Sequence, residues 1–325
     1  MATVRASERA LIVAVVAVLQ YLNAASCGFV FDDHFAVEGN QDADARRSGA
    51  GLWYHDFWGK DLRKSDSHKS WRPLTVISFR SVHRVFAAFG GEHSPLAAHS
   101  VNIVLHALVS VLVFYTVRAH LARCDVGAGT HRSSRYVALV AALLFAVHPV
   151  HVEAVTGVVG RADLLCAVFM LIALRIYRCV DDIDKGPTRG GVALKAAGYL
   201  VAFVLCTWTA IFTKEVGIMV LAIVGCSDVS HALCAVALAP RAPKRRRATR
   251  CARYATFASV LLRRVALRWG FALVCGVGYL ILRLLVMCER GGAWLGLPPL
   301  VVAGEQSTPR RNAAEGLLAT LYHVL

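Results

Sequence analysis

The sequence predicts an all-α, polytopic membrane helix bundle with about seven spans and one long loop after the first. Three observations lead there. Apolar residues make up 57% of the 325-residue chain, and they gather into runs rather than alternating. Several runs are long enough to cross about 30 Å of hydrocarbon as helices. The net charge of +15 is concentrated between the runs, as expected of a chain that keeps its basic loops on one side of a membrane.

The candidate spans are Ala10–Phe31, Pro95–Val117, Tyr136–Val150, Leu164–Tyr177, Ala193–Phe212, Val216–Leu238 and Val265–Met287. Residues 1–31 form a cytoplasmic N-terminus and the first helix. A cleaved signal peptide is the alternative, with Ala24-Ala25-Ser26 as a cleavage site, but the apolar run continues past it to Phe31. Residues 32–94 form the long loop, 95–288 the remaining bundle, and 289–325 a segment beyond it. The connection Pro240–Arg264 contains Pro-Lys-Arg-Arg-Arg-Ala-Thr-Arg and no acid. Between two spans, such a run reads as a cytoplasmic loop rather than a nucleic-acid site. Arg118, Arg123, Arg132 and Arg135 mark a second such loop, and Arg178, Lys185, Arg189 and Lys195 a third. Counting spans from these loops collects Asp32-Asp33, His148–Arg161 and Lys214-Glu215 on the opposite side.

Asp32 and Asp33 stand directly behind the first apolar run. Ionisable groups at that depth are costly, and adjacent like charges oppose each other's ionisation. The pair therefore either ends a helix in water or holds a catalytic acid beside the lipid. Farther along the loop, Trp53 and Trp58 suit interfacial anchoring. From Pro73 to Phe89, apolar residues recur at helical spacing, with Arg80, His83 and Arg84 on one side. That pattern predicts an amphipathic interfacial helix whose basic face meets headgroups or a lipid-linked phosphate. His99, Asn102 and His106 share one face of the second span, and helix–helix hydrogen bonding is the expectation for Asn102. The ten cysteines contain no C-x-x-C pair, which excludes a zinc site or a disulfide framework as the organising feature. No Asn-x-Ser/Thr acceptor and no internal repeat occur.

Seven motifs then appear in order. They are Phe-Val-Phe-Asp-Asp-His-Phe-Ala, Asp-Phe-Trp-Gly, Ser-His-Lys-Ser-Trp-Arg-Pro-Leu-Thr, His-Ser-Val-Asn-Ile-Val-Leu-His-Ala, Phe-Ala-Val-His-Pro-Val-His-Val-Glu-Ala-Val, Gly-Arg-Ala-Asp-Leu-Leu and Lys-Glu-x-Gly. Together, from about Gly28 to Gly217, they resemble the membrane half of the transmembrane and tetratricopeptide-repeat O-mannosyltransferases, endoplasmic-reticulum membrane enzymes of the GT-C class. The resemblance implies a GT-C-like bundle whose long first loop is lumenal. It implies transfer of mannose from dolichyl phosphate mannose to Ser or Thr of lumenal proteins, with no cofactor beyond that lipid donor and no nucleic-acid partner. It further implies Asp32 as general base and Asp33 as its positioning partner.

A carboxylate within reach of a serine hydroxyl can take its proton during attack, and the departing lipid phosphate needs cations. Arg72, Arg161 and Lys214 are the candidates. For Arg161 the alternative is a snorkelling helix-end arginine. For Lys214-Glu215 it is a charge pair closing a short turn. His148, His151 and Glu153 supply acceptor contacts or ligand types for a divalent cation, but no metal is assigned. The family continues into 34-residue helical repeats, and this sequence stops at Leu325 without one, which reads as a truncated or short form. Two other function classes compete. One is a non-catalytic membrane adaptor binding a partner through Trp53–Trp71. The other is a transporter, for which no paired inverted repeats are visible.

Overall fold

The computed structural model describes residues 5–124, 131–183, 191–238 and 273–287, with single positions at Ala255 and Gly270. Apart from those two positions, the Pro240–Arg264 loop and the first part of the seventh span lie outside the described residues, as do residues 289–325, Lys185 and Arg189. Among the described residues the fold is all-α, with no strand beyond one isolated bridge between His55 and Asp61. The helices are α1 (Ala6–Tyr21), α2 (Pro73–Ala87), α3 (Pro95–Cys124), α4 (His131–Val147), α5 (Val152–Thr156), α6 (Arg161–Ile183), α7 (Gly191–Thr213), α8 (Met219–Leu238) and α9 (Leu273–Met287).

Among the described residues, the helices that are long and apolar enough to cross a membrane are Ala6–Ser26, Pro95–Ala122 and Leu194–Thr213. A fourth candidate, Arg135–Val147 with Pro149–Thr156, is bent by 47°. The bend falls at Pro149, which lacks a donor and restrains the residue before it. His148 caps the break, its Nδ1 accepting from the Val150 amide at 3.2 Å. The outer faces of α1, α3, α4 and α7 expose Leu11, Leu19, Val104, Leu108, Val140, Leu144, Val201 and Leu205. Helices apolar on their outward sides as well as their packed sides suit lipid surroundings. The chain is a membrane protein.

α1 packs with α3 and α4 around Val13, Phe114, Ala138 and Ala142. α6 packs with α7 and α8 around Tyr177, Phe203, Val220 and Val224, where the Tyr177 hydroxyl donates to the buried Asp228. Residues 27–94 fold as a cap across one end of this bundle. Its core is Phe29, Val37, Phe57, Val76 and Phe79, joined by Ala98 of α3 and Val158 ahead of α6.

Hydrogen bonds tie the cap to four helix ends. The Gly28 carbonyl meets His99 Nε2 of α3 at 3.2 Å. The Thr75 hydroxyl donates to the Thr213 carbonyl of α7 at 2.7 Å. Arg161 of α6 and Arg283 of α9 donate to the Ser78 and Lys69 carbonyls at 3.4 and 3.0 Å.

Three expectations change. The first helix ends at Tyr21, continues as a 3₁₀ turn over Leu22–Ser26, and is not helical through Phe31. The apolar run therefore overestimates the helix, because Phe29 leaves it to enter the cap core. The α2 helix forms, but Arg80 and His83 do not face headgroups. Arg80 donates to the carbonyls of Asp44 and Arg47 at 2.7 and 2.6 Å, and His83 Nδ1 accepts from the Ala45 amide at 2.9 Å. Both organise the loop that passes over α2. Trp58 packs edge-on against Phe57 at 5.2 Å within the cap rather than serving as a free interfacial anchor. Trp53, by contrast, stays 44% exposed.

Candidate active site

Asp32 and Asp33 differ sharply despite being neighbours. Phe31 has φ of 46°, a left-handed conformation unfavourable for a bulky residue. Together with a turn in which the Asp33 amide donates to the Val30 carbonyl at 3.0 Å, it directs the two carboxylates differently. Asp33 is buried, and its Oδ1 accepts from the Val159 amide at 2.9 Å. Its Oδ2 accepts from Val30 at 3.4 Å. Asp32 is exposed and makes no hydrogen bond or ion pair to any described residue. One acid is anchored, and the other stands open beside it.

The anchor for Asp33 is the turn Val158–Gly160 at the start of α6. Gly160 is required there, because a Cβ would lie 2.5 Å from the Ala154 carbonyl oxygen. Asn102 of α3 spans the turn, donating to the Gly157 carbonyl at 2.9 Å. Its Oδ1 accepts from Arg161 Nε at 2.9 Å. Arg161 is fully buried, also donates to the Ala98 carbonyl at 2.8 Å, and lies over the Phe79 ring. Its nitrogens thus fasten α2, α3 and α6 together behind Asp33. Asn102 does more than join two helices: it orients this arginine.

Two residues farther along α6, Asp163 accepts from Lys214 Nζ at 2.6 and 2.7 Å. Glu215 turns the other way. It accepts from the Trp71 amide at 2.9 Å and from Arg72 Nε at 3.0 Å. Lys214 and Glu215 are therefore not each other's partners; each pairs across to a different element. Gly217 lets this turn lie against α7, since a Cβ would sit 2.5 Å from the Ala210 carbonyl carbon.

His148 is exposed and occupied with its capping bond. The His151 ring rests 4.2 Å from that of Phe145 and 5.5 Å from that of His106, and Glu153 is exposed. Among the described residues, no group of three or more histidine, cysteine or acidic side chains is placed to hold a metal.

The structure thus brings Asp32, Asp33, Arg161, Lys214, Glu215 and Arg72 to the capped end of the bundle through α6 and the turn after α7. Asp163 and Arg283 join them there without being singled out in the sequence. Asp163 is legible as an acid in the first turn of α6. Arg283 is not legible in that way, because the apolar run Val265–Met287 also holds Arg268 and its average hydropathy masks both charges.

Comparison with known proteins decides the kinship. The chain is 46% identical over 170 residues to human "Protein O-mannosyl-transferase TMTC4", covering 51% of this chain and 22% of that protein. The chain is a relative of the TMTC protein O-mannosyl-transferases. Mouse TMTC3 is 41% identical over 223 residues, 69% of this chain and 21% of the relative. The fruit-fly protein Tmtc1 is 38% identical over 209 residues, 64% of this chain and 21% of the relative. The chain thus spans less than a third of the length of these TMTC relatives. No family model and no solved structure matches it.

Proposed function

We propose that this chain carries the catalytic membrane region of a protein O-mannosyltransferase of the endoplasmic-reticulum membrane, with a GT-C-like bundle. Its donor is dolichyl phosphate mannose and its acceptors are Ser and Thr hydroxyls of lumenal proteins. The observation that carries this reading is the split aspartate pair. Asp32 is open to a substrate, and Asp33 is locked to the Val159 amide.

In this mechanism Asp32 accepts the acceptor hydroxyl proton as the oxygen attacks C1 of the mannose from the side opposite the phosphate. The C1–O bond to phosphate breaks, the configuration inverts, and dolichyl phosphate leaves with the bonding electrons. General-base participation of this kind contributes roughly 10²–10⁴ in rate. Asp33 holds the backbone that presents Asp32, and Asn102 and Arg161 hold the turn that receives Asp33. Arg72 and Lys214 are the cations nearest solvent for the departing phosphate, each kept in place by its acid, Glu215 or Asp163.

The test is mannosyl transfer from radiolabelled dolichyl phosphate mannose to a Ser/Thr acceptor peptide. Asp32→Asn is expected to lower the rate by at least ~100-fold while leaving membrane insertion intact. Transfer at the parental rate would overturn the assignment of Asp32. Absence of transfer by the unmodified chain, with donor bound, would favour a non-catalytic adaptor.

A further inference from the structure

Between the cap and the end of α9 lies a recess of about 40 Å³ lined by His68, Lys69, Ser70, Arg72, Glu215 and Arg283. Two of its walls are unfinished. Arg283 is 1% exposed and Ser70 5% exposed. Arg283 Nε and Ser70 Oγ have no hydrogen-bond partner among the described residues. Buried donors are nearly always satisfied in folded proteins, by protein, water or ligand. Arg283 uses its other nitrogens on neutral acceptors, the Tyr279 hydroxyl and the Lys69 carbonyl, both at 3.0 Å. No described carboxylate forms an ion pair with it. A buried arginine without an acid is costly, and within an apolar helix it marks a functional site by default.

The rest of the lining points the same way. Glu215 holds Arg72 by Nε alone, and the terminal nitrogens of Arg72 bond no described residue. The guanidinium groups of Arg72 and Arg283 stand in the lining against one acid, Glu215, so the recess carries net positive charge, while the Lys69 ammonium is held by the Leu62 and Lys64 carbonyls at 2.5 and 2.7 Å. Lys69 adopts φ of 63°, a conformation that non-glycine residues rarely take and that concentrates at functional sites. It places the Lys69 carbonyl on Arg283 and the following residue, Ser70, in the recess wall. A tetrahedral oxyanion suits this donor set of two guanidinium groups and an unpartnered hydroxyl lining one recess.

We propose that this recess receives the phosphate of the isoprenoid lipid donor, with Arg283 and Ser70 as binding residues alongside Arg72. The inference rests on the mannosyltransferase reading for the identity of the lipid, and on the geometry alone for the anion. Its position, where an apolar helix meets the cap, suits a phosphate whose lipid tail stays in the membrane.

The experiment places the full chain in phosphatidylcholine nanodiscs and titrates it with dolichyl phosphate, with inorganic phosphate as competitor. Arg283→Met is expected to weaken binding about 10- to 100-fold, as for loss of a charge-assisted hydrogen bond. Ser70→Ala should weaken it severalfold, and millimolar inorganic phosphate should compete poorly. Parental affinity in both variants overturns the proposal. Equal affinity for inorganic phosphate overturns its lipid source. If Arg283→Met fails to insert, Ser70→Ala decides, because it removes only an unpartnered hydroxyl. Asp32→Asn separates the two readings. Arg283-dependent binding without mannosyl transfer by the parental chain keeps the recess and refutes the enzyme. Asp32-dependent transfer with unchanged affinity in the recess variants does the reverse.

Discussion

Replacing Asn102 by alanine tests the architecture behind the aspartate pair. The change removes two interactions at once. Arg161 Nε loses its acceptor at 2.9 Å, and the Gly157 carbonyl loses its donor at 2.9 Å. The first is a hydrogen bond to a buried charge, for which about 1.5–3 kcal/mol is typical, and the second is worth about 1 kcal/mol. Both groups stay buried without replacement, so a loss of about 2–4 kcal/mol in unfolding free energy is expected. The assay is equilibrium unfolding in mixed micelles, run as a double-mutant cycle with Arg161→Met. A coupling energy of about 1.5–3 kcal/mol is expected, because each single change destroys the same contact. Additivity within ~0.5 kcal/mol would refute the claim that Asn102 orients Arg161. A second readout follows from the Asp33 anchor. If the proposed mannosyl transfer is this chain's activity, Asn102→Ala should lower it by more than the population of unfolded molecules explains, since Val159 moves with the turn.

Two further changes probe the same end of the bundle. Gly217→Ala forces a Cβ to within 2.5 Å of the α7 backbone. It should cost about 1–3 kcal/mol or more, seen as a lowered unfolding midpoint, and an unchanged midpoint would contradict the close approach. Stability should also fall with acid through the stacked pair His83 and His93, whose rings lie 3.9 Å apart. Burial pushes both below the ordinary histidine value, with Asp44 opposing the shift at His83 and the His83 ring adding to it at His93. Their contribution is therefore complete above the unfolded-state pKa of about 6.5. It is lost as pH drops through the lower folded values, because the unfolded chain then binds the extra protons. Unfolding measured from pH 8 to 5 should show this decline, and His93→Phe should flatten it.

The helical class was legible because apolar runs have few other solutions in a membrane, but the count of seven spans was not: among the described residues three helices, or four with the bent pair, are long and apolar enough to cross. The grouping of Asp32-Asp33, His148–Arg161 and Lys214-Glu215 on one side was read by counting spans from the basic loops. Partner choice was not legible. The adjacency of Lys214 and Glu215 suggested a pair, yet the turn after α7 aims them at Asp163 and Arg72. The spacing of Arg80 and His83 correctly marked one helix face but said nothing of the loop that folds over it. Asn102 read as a generic interhelical amide because its partner lies 59 positions away. Arg283 hid for the opposite reason: hydropathy averages absorb isolated charges within a long apolar stretch.

The bond between Arg283 and the Lys69 carbonyl joins positions 214 residues apart. Membrane chains emerge from the ribosome N-terminus first, so the cap is synthesised long before its last attachment. The aspartate pair can take its place once α6 has delivered Val159. The wall facing Lys69 and Ser70 must wait for the helix that carries Arg283. During biosynthesis there is therefore an interval in which the acids are set but the recess beside Ser70 is still open on one side, and its closure is a late event of assembly.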